Sequence, residues 1–228
     1  MMENRPSVAK LRLLMLSGLL GSICMAASDW LMIWGDTTFE GKLAWLTLGT
    51  AQIDPGRNAL ALALAFPAVL LYCAALFGVR HFLTDAPSRR VYTALTAVGM
   101  LPWLSLHLFY VMIFYLFGWM NRAGEPALAL AACEALFGQF SWLIPVSEVL
   151  MLLPFLYLLG AVFWRRSVFP RAMALNNPLL LFVAFKVICG LLPDVPFRLA
   201  FLNGLMSESM AVWFIVFLAA MSRAAVRR

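Results

Sequence analysis

The chain has 228 residues, 64% hydrophobic and 12% charged, against about half and a quarter in an ordinary soluble domain. That leaves too little polar surface to cover a soluble globule, and no Asp, Glu, Lys or Arg occurs from Asn58 to Val79 or from Val91 to Asn121, each long enough to cross a bilayer. These figures exclude a soluble fold and a disordered chain, and four cysteines with no CxxC spacing exclude a disulfide scaffold.

A crossing helix needs about 20 mostly apolar residues. The expected fold is therefore all-α, one transmembrane domain over 1–228, with six spans near 11–34, 58–80, 92–119, 141–164, 176–192 and 199–222. The first follows a basic stretch (Arg5, Lys10, Arg12), and with Ala26, Ala27 and Ser28 at its end it has the look of a signal peptide retained as an anchor. Gly18, Met25 and Asp29 share one of its faces. Between the first two spans, Phe39 to Leu46 reads as a short interfacial helix, and Asp54-Pro55-Gly56 as a turn.

The third span carries Trp103, His107, Tyr110 and Phe114 at helical spacing. After it, residues 126–140 are apolar but bracketed by Glu125 and Glu134, and Pro126 suits the first turn of a short re-entrant or interfacial helix. The fourth span holds Glu148 between Pro145 and Pro154, where a kink and freed carbonyls are expected. The fifth, near the lower length limit, holds Lys186. In the sixth, Asn203, Gly204, Ser207, Glu208 and Ala211 form a small and polar stripe, leaving Leu202, Leu205, Met206 and Trp213 for lipid.

Charge placement sets the expected orientation, because cytoplasmic flanks collect Lys and Arg. Six spans put twelve basic residues on the side of both termini and only Lys42, Arg57, Arg122 and Arg198 on the other. A seventh crossing at 122–140 would give six against ten. The expected location is the cytoplasmic (inner) membrane, both termini cytoplasmic. Trp34, Trp45, Trp119 and Trp142 then fall at the outer interface and Trp164 at the inner. The net charge of +6 sits in separated groups at helix ends, which suits lipid headgroups as partners and not nucleic acid.

Ionisable groups inside spans are costly and point to function. Counted from the outer helix ends, Asp29 lies roughly 7 Å deep, Lys186 roughly 9, Glu148 roughly 10, Glu208 roughly 13 and His107 roughly 16. Five helices thus bring one polar group each to a similar level, as a shared outward cavity requires. If Asp29, Glu148, Glu208 and Lys186 share it, three carboxyls face one ammonium, and at least one carboxyl is expected to stay protonated. The candidate acid–base groups are Glu148, Glu208, His107 and Asp29. Trp103, Tyr110, Phe114, Lys186 and Asn203 are the candidate substrate-binding residues.

No metal or cofactor is expected, since only His81 and His107 could supply imidazole, and phosphate-binding glycine loops and GxSxG are absent. The segments Ala27-Ser28-Asp29-Trp30, Asn177-Pro178, Leu192-Pro193-Asp194 and Asn203-Gly204-Leu205-Met206-Ser207-Glu208 make the chain similar to a family of small bacterial multi-pass membrane proteins with no assigned activity. In architecture alone, a small bundle with embedded acids resembles sterol isomerases and integral-membrane terpene cyclases, a likeness that transfers no residue role. The expected function is acid–base chemistry on a lipid or isoprenoid-like apolar substrate. The alternatives are binding or proton-coupled transport of a small ligand, or an assembly subunit whose charges pair structurally, as Lys186 with Glu148 or Glu208.

Overall fold

The computed structural model describes residues 6–34, 54–193 and 196–226. Its α-helices are α1 (Val8–Ile33), α2 (Pro55–Val79), α3 (Ala86–Arg122), α4 (Pro126–Phe140), α5 (Leu143–Phe163), α6 (Pro178–Gly190) and α7 (Pro196–Val226), with short 3-10 turns at Arg80–Phe82 and Arg171–Asn176. Five helices, α1, α2, α3, α5 and α7, are long and apolar enough to cross a membrane. Among the described residues the isolated antiparallel bridge Leu83–Ser167 stands outside the helices. The helix expected from Phe39, and Trp45 with it, lie outside the described residues.

Local sequence explains where the helices begin. Ser7 accepts from the Lys10 N–H at the start of α1, Asp54 from Gly56 ahead of α2, Asp85 from Ser88 ahead of α3, and Asn177 from Leu179 ahead of α6. Each cap satisfies an N–H that the first turn would leave without a partner. Pro55, Pro87, Pro126 and Pro178 occupy first-turn positions, where a missing N–H costs nothing. At its other end α5 closes with Arg165 in the left-handed region (φ 57°), and the Arg166 N–H returns to Ala161 O at 2.8 Å.

Contacts along α1 fix the direction of its two neighbours. Ser28 of α1 donates to Ala61 O of α2, and Gly18, ten residues earlier, lies against Ala75, so α1 and α2 are antiparallel. α7 runs back along α1: Trp34 meets Phe197 and Gly18 meets Phe214. A Cβ on Gly18 would stand 2.3 Å from the Phe214 ring and 2.6 Å from Ala75 Cβ, so the crossing of three helices depends on that glycine. We call the end with Trp34, Pro55 and Phe197 upper, and the end with Val8, Arg80 and Phe163 lower.

α3 has 37 residues, roughly 55 Å of helix, and two helices in series run down it. α4 packs on its upper half through Phe137 on Tyr110 and Phe140 on Phe109, with Cys133 Sγ facing Ile113 O. α5 continues downward from Leu143. The expected short helix at 126–140 is thus a helix packed on α3. Pro145 proves to sit in the first turn of α5 and frees no bond, so the kink expected on both sides of Glu148 reduces to Pro154. Pro154 leaves Leu150 O without its helical donor, and Gly99 of α3 lies directly on that carbonyl, where a Cβ would come within 2.3 Å.

The segment expected as a fifth span, 176–192, holds a single helix, α6, that is shorter than expected. α6 has 13 residues, about 20 Å, short of a crossing of about 30 Å. Asn177 is extended (φ −67°, ψ 135°), the conformation favoured for a residue before proline, and this cuts α6 from the 3-10 turn of six residues, roughly 12 Å, before it. The joint is packed rather than loose: Asn177 donates to Phe155 O at 2.9 Å and Asn176 to Trp213 O at 3.3 Å. Below it, Phe169 stacks on Phe82 and meets Phe217 edge to face.

α7 corrects a second expectation. Leu205, Met206 and Trp213 are 4%, 6% and 4% exposed, not turned to lipid, because α1, α6 and the Arg171–Asn176 turn cover α7 on several sides.

Candidate active site

Above the Phe155–Trp213 contact, where their rings meet edge to face at 6.1 Å, α5 separates from α7 and makes only a sparse contact with α6. The gap is an open cleft of about 830 Å³ between α3 with α5 on one side and α1, α6 and α7 on the other. Its lining is mainly apolar, including Met32, Phe137, Met151, Phe182 and Met206.

Of the residues expected to form a site, Asp29, His107, Glu148, Lys186, Asn203, Trp103, Tyr110 and Phe114 all line this cleft. Five helices contribute them: α1, α3, α5, α6 and α7. Deepest is a pair: His107 Nε2 lies 2.9 Å from Asp29 Oδ1, with side chains 14% and 1% exposed. The Ser207 hydroxyl donates to the other Asp29 oxygen at 3.3 Å, and the Trp103 ring stands 5.9 Å from the imidazole. A carboxyl and an imidazole in contact can hold one proton between them and release it to a third group that reaches the imidazole.

Glu148 and Lys186 differ from that pair in being exposed at the mouth of the cleft. Among the described residues no ion pair joins Lys186 to Glu148 or to Glu208, so the structural pairing considered for Lys186 is absent. Glu208 does not line the cleft. It faces α1, where the Trp30 indole N–H donates to Glu208 Oε1 at 2.6 Å, and Trp30 itself packs on Trp34, Phe197 and Phe201. That partner is 178 residues away in sequence. Helical periodicity, which puts Glu208 on the same stripe as Asn203, could not separate the two directions.

Sequence reasoning also passed over Ser207 as a site residue, although it stands in the small and polar stripe, and Phe137, which reaches the cleft only because α4 packs on α3. Arg57 fixes the upper end of α1, donating to the carbonyls of Trp30 and Trp34. That contact gives the Trp34 carbonyl, which has no helical donor, a partner. Cys133 and Cys189 are buried free thiols. Among the described residues no three His, Cys, Asp or Glu side chains converge on one point.

Neither a curated protein nor a solved structure matches the chain. A family description does, from residue 1 to residue 224, nearly end to end. The chain belongs to that family, the family of unknown function DUF6796.

Proposed function

We propose that the protein crosses the cytoplasmic membrane six times with both termini on the cytoplasmic side, and that its cleft performs acid–base chemistry on a lipid-like apolar substrate. The fifth of these crossings is the composite of the Arg171–Asn176 turn and α6, whose combined rise of roughly 32 Å matches the hydrocarbon thickness. Non-helical backbone at that depth is tolerable because Phe155, Trp213 and Phe217 enclose it. The distribution of twelve basic residues against four favours this even count. An open mouth beside α5 and α6 then faces the bilayer, from which an apolar substrate can enter sideways.

The observation that carries the chemical reading is the Asp29–His107 pair on the wall of a largely apolar cleft. An isomerisation needs one proton removed from a carbon and one returned to another, and it requires no co-reactant. His107, backed by Asp29, takes the proton from the first carbon and, as the imidazolium, returns it to the second. Trp103, Tyr110, Phe114 and Phe137 shape the apolar wall and offer their ring faces to positive charge developing on the substrate. Transport is the weaker reading, since below Met151 and Met206 the cleft gives way to the Phe155–Trp213 contact and the Asn177 hydrogen bond.

The test compares membrane lipids from cells producing the wild type, His107→Gln and Glu208→Gln at equal levels. A lipid whose isomer ratio changes with the wild type and with Glu208→Gln, but not with His107→Gln, supports the proposal. An identical lipid profile in all three removes it.

A further inference from the structure

Two opposite charges face the same cleft without meeting. Glu148 projects from α5 and Lys186 from α6, the two helices that flank the lateral mouth, and no ion pair joins them. Near hydrocarbon, each charge left alone is expensive, and a close pair would be the usual remedy. A ligand bearing both signs would serve each of them instead. The Asn203 amide, also exposed on the cleft wall, adds a donor and an acceptor.

We infer that the mouth of the cleft binds the headgroup of a zwitterionic amphiphile carrying a primary ammonium and a phosphate, as in an ethanolamine phospholipid, with the ammonium on Glu148 and the phosphate on Lys186. The inference rests on the cleft being a lipid site and names the class of lipid. A carboxylate accepts hydrogen bonds, and a primary ammonium offers three N–H donors where a quaternary ammonium offers none. The Lys186 ammonium is a compact point charge suited to a phosphate oxygen. The acyl chains then run inward along Phe137, Phe182 and Met206, which brings apolar carbon towards His107.

The experiment is native mass spectrometry of the full-length protein released from nanodiscs of equal parts phosphatidylethanolamine, phosphatidylglycerol and phosphatidylcholine. The wild type should retain the ethanolamine lipid over either other lipid by about tenfold, the factor one charge-assisted hydrogen bond is worth. Glu148→Gln should abolish the preference over phosphatidylglycerol, and Lys186→Met should lower retention of all three. Glu208→Gln, outside the cleft, should retain lipid as the wild type does. Equal retention of the three lipids by the wild type, or a preference that survives Glu148→Gln, overturns the inference; a preference for phosphatidylcholine does so as well. Incorporation of solvent deuterium into lipid carbon, measured on the same samples, separates this failure from that of the acid–base reading. Exchange without headgroup preference removes only the headgroup assignment, and preference without exchange sustains the headgroup while removing the chemistry.

Discussion

Asp29 on α1 and His107 on α3 meet at 2.9 Å, the carboxyl 1% exposed, and thereby tie two helices together at the wall of the cleft. Removing one partner leaves the other buried without its counter-group, which costs about 3–5 kcal/mol where the pair is fully enclosed. His107→Gln and Asp29→Asn should each lower the unfolding temperature in detergent. The double variant should regain part of the loss, with a coupling of about 0.5–3 kcal/mol. Additive losses would mean that the two side chains are neighbours without interacting.

Glu208 and Trp30 form a second polar contact, between α7 and α1 and outside the cleft lining. Glu208→Gln keeps an acceptor for the indole and should unfold close to the wild type. Trp30→Phe removes the donor, leaves the buried acceptor unsatisfied and should cost about 1–3 kcal/mol. Thermal unfolding of the two variants checks the contrast, and an equal loss in both would contradict it.

Two glycines set helix spacing. Gly18→Ala would push a methyl into the Phe214 ring and Ala75, and Gly99→Ala would drive one into Leu150 O. Overpacking of this kind costs about 1–3 kcal/mol. The backbone carbonyl under Gly99 has less room to yield than the Phe214 ring does. Gly99→Ala should therefore be the worse of the two in unfolding assays.

Asp85 caps α3 and accepts from the Ser88 N–H at 2.7 Å and the Ser88 hydroxyl at 2.8 Å, and these bonds hold its carboxyl below the ordinary value of 3.8. A carboxyl lowered in the folded state contributes stability that is complete above its unfolded value and fades as pH falls through the folded one. The gap in unfolding temperature between the wild type and Asp85→Ala should be constant near neutral pH and close only in acid. A gap that widens in acid would contradict the cap.

Much of this arrangement is legible in the residues themselves. Apolar runs locate the helices, and the scarcity of ionisable residues within them singles out Asp29, His107, Glu148 and Lys186, which line one cleft. What periodicity leaves open is which neighbour a given face meets. Glu208 shares a stripe with Asn203, yet one answers to Trp30 and the other to the cleft, since α7 is enclosed on several sides. For the same reason Leu205, Met206 and Trp213, apolar and off the polar stripe, are core and not lipid-facing. The interruption before α6 has a readable local cause in Asn177-Pro178. Its packing on Phe155 and Trp213 depends on distant chain and has none.

The central claim is that His107, held by Asp29, moves a proton to or from the carbon skeleton of a lipid in the cleft. The most direct measurement reconstitutes the protein in vesicles of cellular lipid extract in deuterated buffer and follows carbon-bound deuterium by mass spectrometry. The account predicts that one lipid class gains deuterium with the wild type, and that His107→Gln abolishes the gain while remaining inserted and folded. No lipid gaining deuterium above a protein-free control, or a gain undiminished in His107→Gln, would contradict it.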